Sequence, residues 1–203
     1  MTLLESIHLP PVTRYLLSRE QYHRMIESGI LPESGAYELL HGMIAVKDRA
    51  DAEDDSMSGG KKHRKAVIKL GTLDPEFRKR GCFIQLQQPI ALSKHSEPEP
   101  DGSVVLGDDD EYDDHPRPKD ITCVIEAADH SLDQDRTTKL ELYASAKIAM
   151  YVVLNLVDRI AEVHTHPQRG GYRYKVTLTE RDVLSLPCAK GKTLDVVVAR
   201  VMP

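Results

Sequence analysis

The fold turns on residues 121–154, ITCVIEAADHSLDQDRTTKLELYASAKIAMYVVL. Ile121 to Ala128 is a short apolar run rich in strand-forming residues, which reads as a core strand. From about Asp133 to Lys147 the pattern becomes helical, and it leads directly into AMYVVLNLVDRIAEVHTH. Alternation around Asp158 predicts two strands there, or one long bent strand. A strand, a covering helix and a further strand in this order point to a sheet with helices on its faces.

Working outward, the same grammar recurs. Ser18-Arg-Glu-Gln21 has the spacing of a capping box, with Tyr22, Met25 and Ile26 as an apolar stripe and Gly29 as the stop, predicting a helix over about 18–28. AYELLHGMIAV carries a turn signal at Gly42 between two apolar runs and predicts a hairpin over about 36–47. From His63 to Arg80, Ala66, Val67, Leu70 and Leu73 recur at helical spacing, with a bend expected near Pro75. CFIQLQQPIAL, SVVLG, YRYKVTLTE and TLDVVVARVM supply further strand-like runs, and no internal repeat is visible. The expected architecture is α/β, a mixed central β-sheet flanked by helices.

Length and charge narrow the function classes. A chain of 203 residues suits one core, so residues 1–203 are expected to form a single domain, with mobile loops near 47–62 and 107–119. No apolar run reaches the roughly 18–20 residues of a membrane span. The start, MTLLESIHLPPVTRYLL, lacks the basic and continuous apolar regions of a signal peptide, so a cytoplasmic location and no membrane partner are expected. Cys82, Cys123 and Cys188 are far apart and read as reduced thiols rather than a disulfide or zinc framework. The net charge of −5 excludes a general polyanion binder, so any contact with nucleic acid must be local.

Two acids stand out by position. Asp101 leads SVVL and Glu126 closes ITCVI, so neighbouring strands would bring both to one hard divalent cation. Glu126 ends a buried run, where an unpaired carboxylate is costly; a strand-end Glu reaching solvent is the alternative. Lys139 shares a helix face with Leu142, Tyr143 and Ala146 and so points inward, with Asp135 one turn earlier able to pair with it. A snorkelling surface Lys is the competing reading. Lys61-Lys-His-Arg-Lys65, with Arg78, Lys79 and Arg80, forms either a positive rim for a polyanion or a solvated helix face. His164 and His166 alternate in a strand and so share one face, where a plain strand surface outweighs metal binding. Asp108 to Asp114 read as a solvated acidic loop without apolar anchoring.

Tyr37-Glu-Leu-Leu-His-Gly42, Pro100-Asp101, Val124-Ile-Glu126 and Asp135-Arg-Thr-Thr-Lys139 followed by Tyr143 resemble, in order, motifs of the Uma-two restriction-endonuclease family of the PD-(D/E)XK nuclease superfamily. The resemblance covers roughly residues 18–175. It implies that Asp101 and Glu126 lie on adjacent strands as metal ligands, with the Ala127 carbonyl as a third. The superfamily's Lys two residues after the Glu would fall on Ala128; here Lys139 from the next helix takes that role. Glu38 would face the same site, and His63 matches a His often found early in the family's second helix, with a helix-surface His beside basic neighbours as the competing reading. The chain departs from the family at Glu126-Ala-Ala-Asp-His-Ser131, at His41 and at Tyr151.

The implied activity is Mg²⁺-dependent hydrolysis of a phosphodiester, with Mn²⁺ as a substitute, on nucleic acid and specifically DNA, by a homodimer. The ion would acidify water and neutralise phosphate while Lys139 stabilises developing charge. Two alternatives stay open: a nuclease-like binding or regulatory protein without turnover, and a hydrolase of smaller phosphate esters.

Overall fold

The computed structural model describes residues 15–32, 37–46, 59–129 and 131–203. Helix α1, Arg19–Glu27, starts on the expected capping box: the Gln21 amide donates to the Ser18 hydroxyl, and the Ser18 amide donates to the Gln21 side chain. Strands β1, Tyr37–Leu40, and β2, Met43–Val46, form the expected hairpin. Gly42 has φ +77° at its turn, a conformation that glycine adopts without strain. The outermost residues of that prediction, 36 and 47, lie outside the described residues, as do 47–58 of the expected loop.

The helix expected over 63–80 is two helices, α2, Gly59–Gly71, and α3, Asp74–Arg78. The break falls just before Pro75, which occupies the first turn of α3, where its missing N–H costs nothing. Six strands then build the central sheet: β3, Cys82–Gln85; β4, Gly102–Leu106; β5, Ile121–Ala128; β6, Met150–Asn155; β7, Ile160–Gln168; and β8, Gly171–Thr179. They lie side by side in sequence order, with β5 and β6 parallel and every other neighbouring pair antiparallel. A parallel pair needs a long crossover. Residues 132–145 provide it as α4, Leu132–Gln134, a π-turn at Asp135–Lys139, and α5, Leu140–Ser145.

Alternation sorts side chains to two faces. One face of the sheet, with Cys123, Ile125, Ala127, Val152 and Leu154, packs against Ala66, Leu70 and Phe77 of α2 and α3. It also packs against Leu184, Leu186, Leu194 and Val196 of a second hairpin, β9, Val183–Pro187, and β10, Thr193–Val197. The other face, with Val124, Ala128, Tyr151 and Val153, packs against Leu142, Tyr143 and Ile148. Glu126 falls on this second face between Val124 and Ala128. Strand β9 is absent from the sequence expectation because VLSLP is short and interrupted by Ser185; it is stabilised by its partner β10.

Three local readings change in the structure. Only the first four residues of CFIQLQQPIAL are strand. The acidic run after β4 is anchored: Arg78 donates to Asp108 and Asp109 at 2.8 and 2.9 Å, and the Tyr112 hydroxyl donates to the Leu106 carbonyl at 2.8 Å. His164 and His166 do not share an environment, since His164 is buried between Tyr151 and Tyr172 while His166, at φ +60°, is exposed against Tyr174. All three cysteines are free and buried. No described helix is long and apolar enough to cross a membrane.

Candidate active site

The antiparallel register pairs Gly102 with Ile125, so one further step sets Asp101 directly opposite Glu126 on the second face of the sheet. Backbone contacts lock the pair. The Ala127 amide donates to Asp101 Oδ2 at 2.8 Å, and the Asp101 amide approaches Glu126 Oε2 at 3.4 Å. In a ladder the amide and carbonyl of one residue face the same edge. The Ala128 carbonyl accepts from Leu156 on the β6 side, so the Ala127 carbonyl is turned toward Asp101.

Three further segments converge on this pair. The first hairpin docks on residues 97–99 through Leu39 and Glu97, which exchange backbone hydrogen bonds at 3.3 and 2.7 Å. This turns Glu38 inward, where its Oε1 accepts from the Glu99 amide at 2.8 Å. The π-turn supplies Asp135 and Lys139; such turns often mark functional sites, because they break the regular spacing of a helix. Lys139 Nζ lies 2.9 Å from Glu126, 3.6 Å from Glu38 and 3.8 Å from Asp135. Helix α2 contributes His63, whose Nε2 is 2.9 Å from Asp101 Oδ1. Asp101, Glu126, Lys139 and Glu38 are therefore all brought together, and all are buried.

Some partners were not singled out from sequence. The Tyr143 hydroxyl donates to Glu126 Oε1 at 2.8 Å, Gln87 reaches Asp101 at 3.4 Å, and the Ser131 hydroxyl donates to Asp135 at 2.6 Å. The i,i+4 spacing of Lys139 and Tyr143 was the available signal for the first. Gln87 carried none, because it lies in an irregular segment.

The electrostatics are those of a site with surplus negative charge. Glu38, Glu126 and Asp135 lie within 4 Å of the Lys139 ammonium, and Asp101 stands opposite Glu126; Lys139 is the one buried lysine among the described residues. Burial pushes the Glu126 carboxyl up to about 8; Lys139 opposes this, while Asp135, Asp101 and Glu38 add to it. Asp135 is also raised by burial, against Lys139 and Ser131. Burial acts on Asp101 in the same sense, but there His63, the Ala127 amide and Lys139 prevail and hold it below the usual range. Lys139 is raised despite its burial, because Glu126, Glu38 and Asp135 face it. Asp135 Oδ1 is buried without a hydrogen-bond partner. Clustered hard oxygens, an excess of carboxylates and an orphaned buried oxygen fit a hard divalent cation such as Mg²⁺ or Mn²⁺.

Outside this centre, Lys62, Arg64 and Lys65 are exposed on the same helical turns as His63. They place positive charge beside the acidic site.

Comparison with known proteins agrees with this architecture. The family model described as "Uma2: Putative restriction endonuclease" matches residues 19–197. A crystal structure described as a "putative nuclease belonging to DUF820" from Anabaena variabilis is similar, with a TM-score of 0.65 at 15% identity, over 91% of this chain and 97% of that one. That likeness is one of fold. No curated protein matches the chain.

Proposed function

Since the chain belongs to the Uma2 family, we propose that it is a divalent-metal-dependent endonuclease that hydrolyses phosphodiester bonds of DNA. The observation that carries this reading is the gathering of four buried carboxyl groups at one place: Glu38, Glu126 and Asp135 lie within 4 Å of the buried Lys139 ammonium, and Asp101 stands opposite Glu126. A merely structural site would have little use for so many buried carboxyl groups, because each one ionised away from water costs several kcal/mol unless paired.

Asp101, Glu126 and the Ala127 carbonyl would hold Mg²⁺, with Mn²⁺ as a substitute. When bound, the ion would acidify water and neutralise phosphate charge. Glu126 Oε1 is already engaged by Lys139 and Tyr143, which leaves Oε2, with only the 3.4 Å contact to the Asp101 amide, as its ligand atom. Lys139 remains protonated among its carboxylates, so it serves as a fixed positive charge that orients the attacking water and stabilises charge on the phosphorane, and not as a base. Glu38, with Oε1 tied to the Glu99 amide, has Oε2 left to hold that water. His63 orients Asp101 from the α2 side. Lys62, Arg64 and Lys65 would meet the DNA backbone, giving an acidic protein the local positive contact that it needs.

Cutting both strands requires two centres, and we infer a homodimer. The reading also takes residues 1–203 as one nuclease-like domain acting in the cytoplasm.

Incubation of supercoiled plasmid with the protein and Mg²⁺ or Mn²⁺ tests the proposal. Nicking and linearisation are expected, blocked by chelator and lost in Asp101→Ala with its circular dichroism unchanged. Equal cleavage by that variant would refute the site. DNA binding without cleavage in either metal would instead favour a nuclease-like binding protein, and turnover of a small diester alone would favour a phosphoesterase.

A further inference from the structure

A second cluster lies apart from the four carboxylates. His23 of α1, Glu97 of the segment before β4 and His115 of the segment before β5 each bring one ligand atom within 4.8 Å of the other two. We infer that these three residues form a separate site for a borderline transition-metal ion, of which Zn²⁺ is the natural occupant.

The donor set sets it apart from the carboxylate centre. Two imidazoles and one carboxylate suit Zn²⁺ and its transition-metal neighbours, whereas an all-oxygen set suits Mg²⁺. The carboxylate is already oriented. Glu97 is 3% exposed, and Arg19 Nε donates to its Oε2 at 2.6 Å, leaving Oε1 beside His23 Nε2 at 2.5 Å. Holding one oxygen by an outer partner is how metal-binding carboxylates are usually fixed. Arg19 does not confront an ion as an unshared charge, since Asp114 lies 3.8 Å from its guanidinium.

The geometry requires only a small adjustment. Metal–ligand bonds of about 2.0–2.2 Å set tetrahedral ligand atoms roughly 3.3–3.5 Å apart, so His23 would need to withdraw by about 1 Å. Its side chain is 38% exposed and has room to do so. The His23 and His115 rings stand edge to face at 6.2 Å and 88°, an arrangement in which both can present a nitrogen to one point. A cavity of about 420 Å³, lined by Ser18, Arg19, Glu20, His23, Lys94 and Asp114, adjoins the cluster and provides an entry path. Three protein ligands leave a fourth position for water or an anion, with Lys94 and Arg19 close by.

The ion would tie α1 to the segment that precedes β5 and to the one that carries Asp101 four residues later. Zinc binding at these three residues is independent of nuclease activity and is measured without it. Chelator-stripped full-length protein carrying Asp101→Asn and Glu126→Gln, which removes the hard-ion ligands, is titrated with Zn²⁺ by calorimetry and its melting temperature followed. One equivalent is expected to bind and to raise the melting temperature. In the same background His115→Ala, a half-buried position on a surface segment, should weaken binding at least 10-fold and abolish the thermal shift, and His23→Gln should do the same. X-ray absorption of the zinc-loaded protein should show imidazole scattering. Absence of binding by the Asp101→Asn, Glu126→Gln protein would overturn the inference, as would binding that His115→Ala and His23→Gln leave unchanged.

Discussion

Binding of Mg²⁺ should be coupled to the loss of a proton from Glu126. Burial first, then Asp135, Asp101 and Glu38, lift its carboxyl from 4.5 to about 8, and Lys139 only partly offsets the rise. Because the folded value is the higher one, this group's contribution to the metal-free fold is fully present below about pH 4.5 and is lost as pH rises through about 8. The complex should have the opposite dependence, since the proposed ligand is the ionised carboxylate. With a midpoint of about 8, the carboxylate is ionised in about one molecule in a hundred at pH 6 and in about half at pH 8. Apparent Mg²⁺ affinity should therefore rise roughly 50-fold over that interval, equivalent to about 2.3 kcal/mol. Calorimetric titration at pH 6, 7 and 8, in two buffers of different ionisation enthalpy, measures both the affinity and the protons released. Glu126→Gln should lower affinity at pH 8 and remove the slope. An affinity that is flat from pH 6 to pH 8, or a slope that persists in Glu126→Gln, would refute the reasoning.

Other outcomes follow from the same geometry. Lys139→Met strands buried carboxylates without their cation and should cost about 3–5 kcal/mol in urea unfolding of the metal-free protein, with a larger loss at pH 8 than at pH 5. Tyr143→Phe removes one donor to Glu126 and should cost about 1–2 kcal/mol while moving the Mg²⁺-binding inflection to higher pH, both readable in the same titrations. Gly42→Ala would set a Cβ 2.6 Å from Leu16 Cβ at a φ of +77°. The backbone term alone costs about 1–2 kcal/mol, so the melting temperature should fall, and any cleavage activity with it, because this hairpin carries Glu38. Asp109→Ala removes an exposed contact to Arg78 and should leave plasmid cleavage and the melting temperature unchanged.

Much of this molecule is written in local patterns. The capping box at Ser18, the Gly42 turn and the inward face of Lys139 depend on spacings of a few residues, and such spacings act through backbone geometry that needs no distant partner. Asp101 and Glu126 were legible for a related reason: each borders an apolar run in the sequence, although the structure carries β5 on to Ala128 and so buries Glu126 inside the strand. The π-turn was hidden, because Asp135-Arg-Thr-Thr-Lys139 satisfies an ordinary helical pattern equally well. Strand β9 was hidden too, its stability coming from β10 rather than from its own sequence.

The sequence by itself determined the mixed α/β class, the two acids beside apolar runs and the inward lysine, since alternation, helical period and capping are short-range consequences of burial and backbone hydrogen bonding. Only the tertiary structure decided which groups share a field. His63 meets Asp101 across 38 residues and His23 meets Glu97 across 74, contacts that no local period encodes. The raised carboxyl of Glu126 belongs to the same class, because desolvation and the charges of Asp101, Asp135, Glu38 and Lys139 act on it only once separate segments have closed around it.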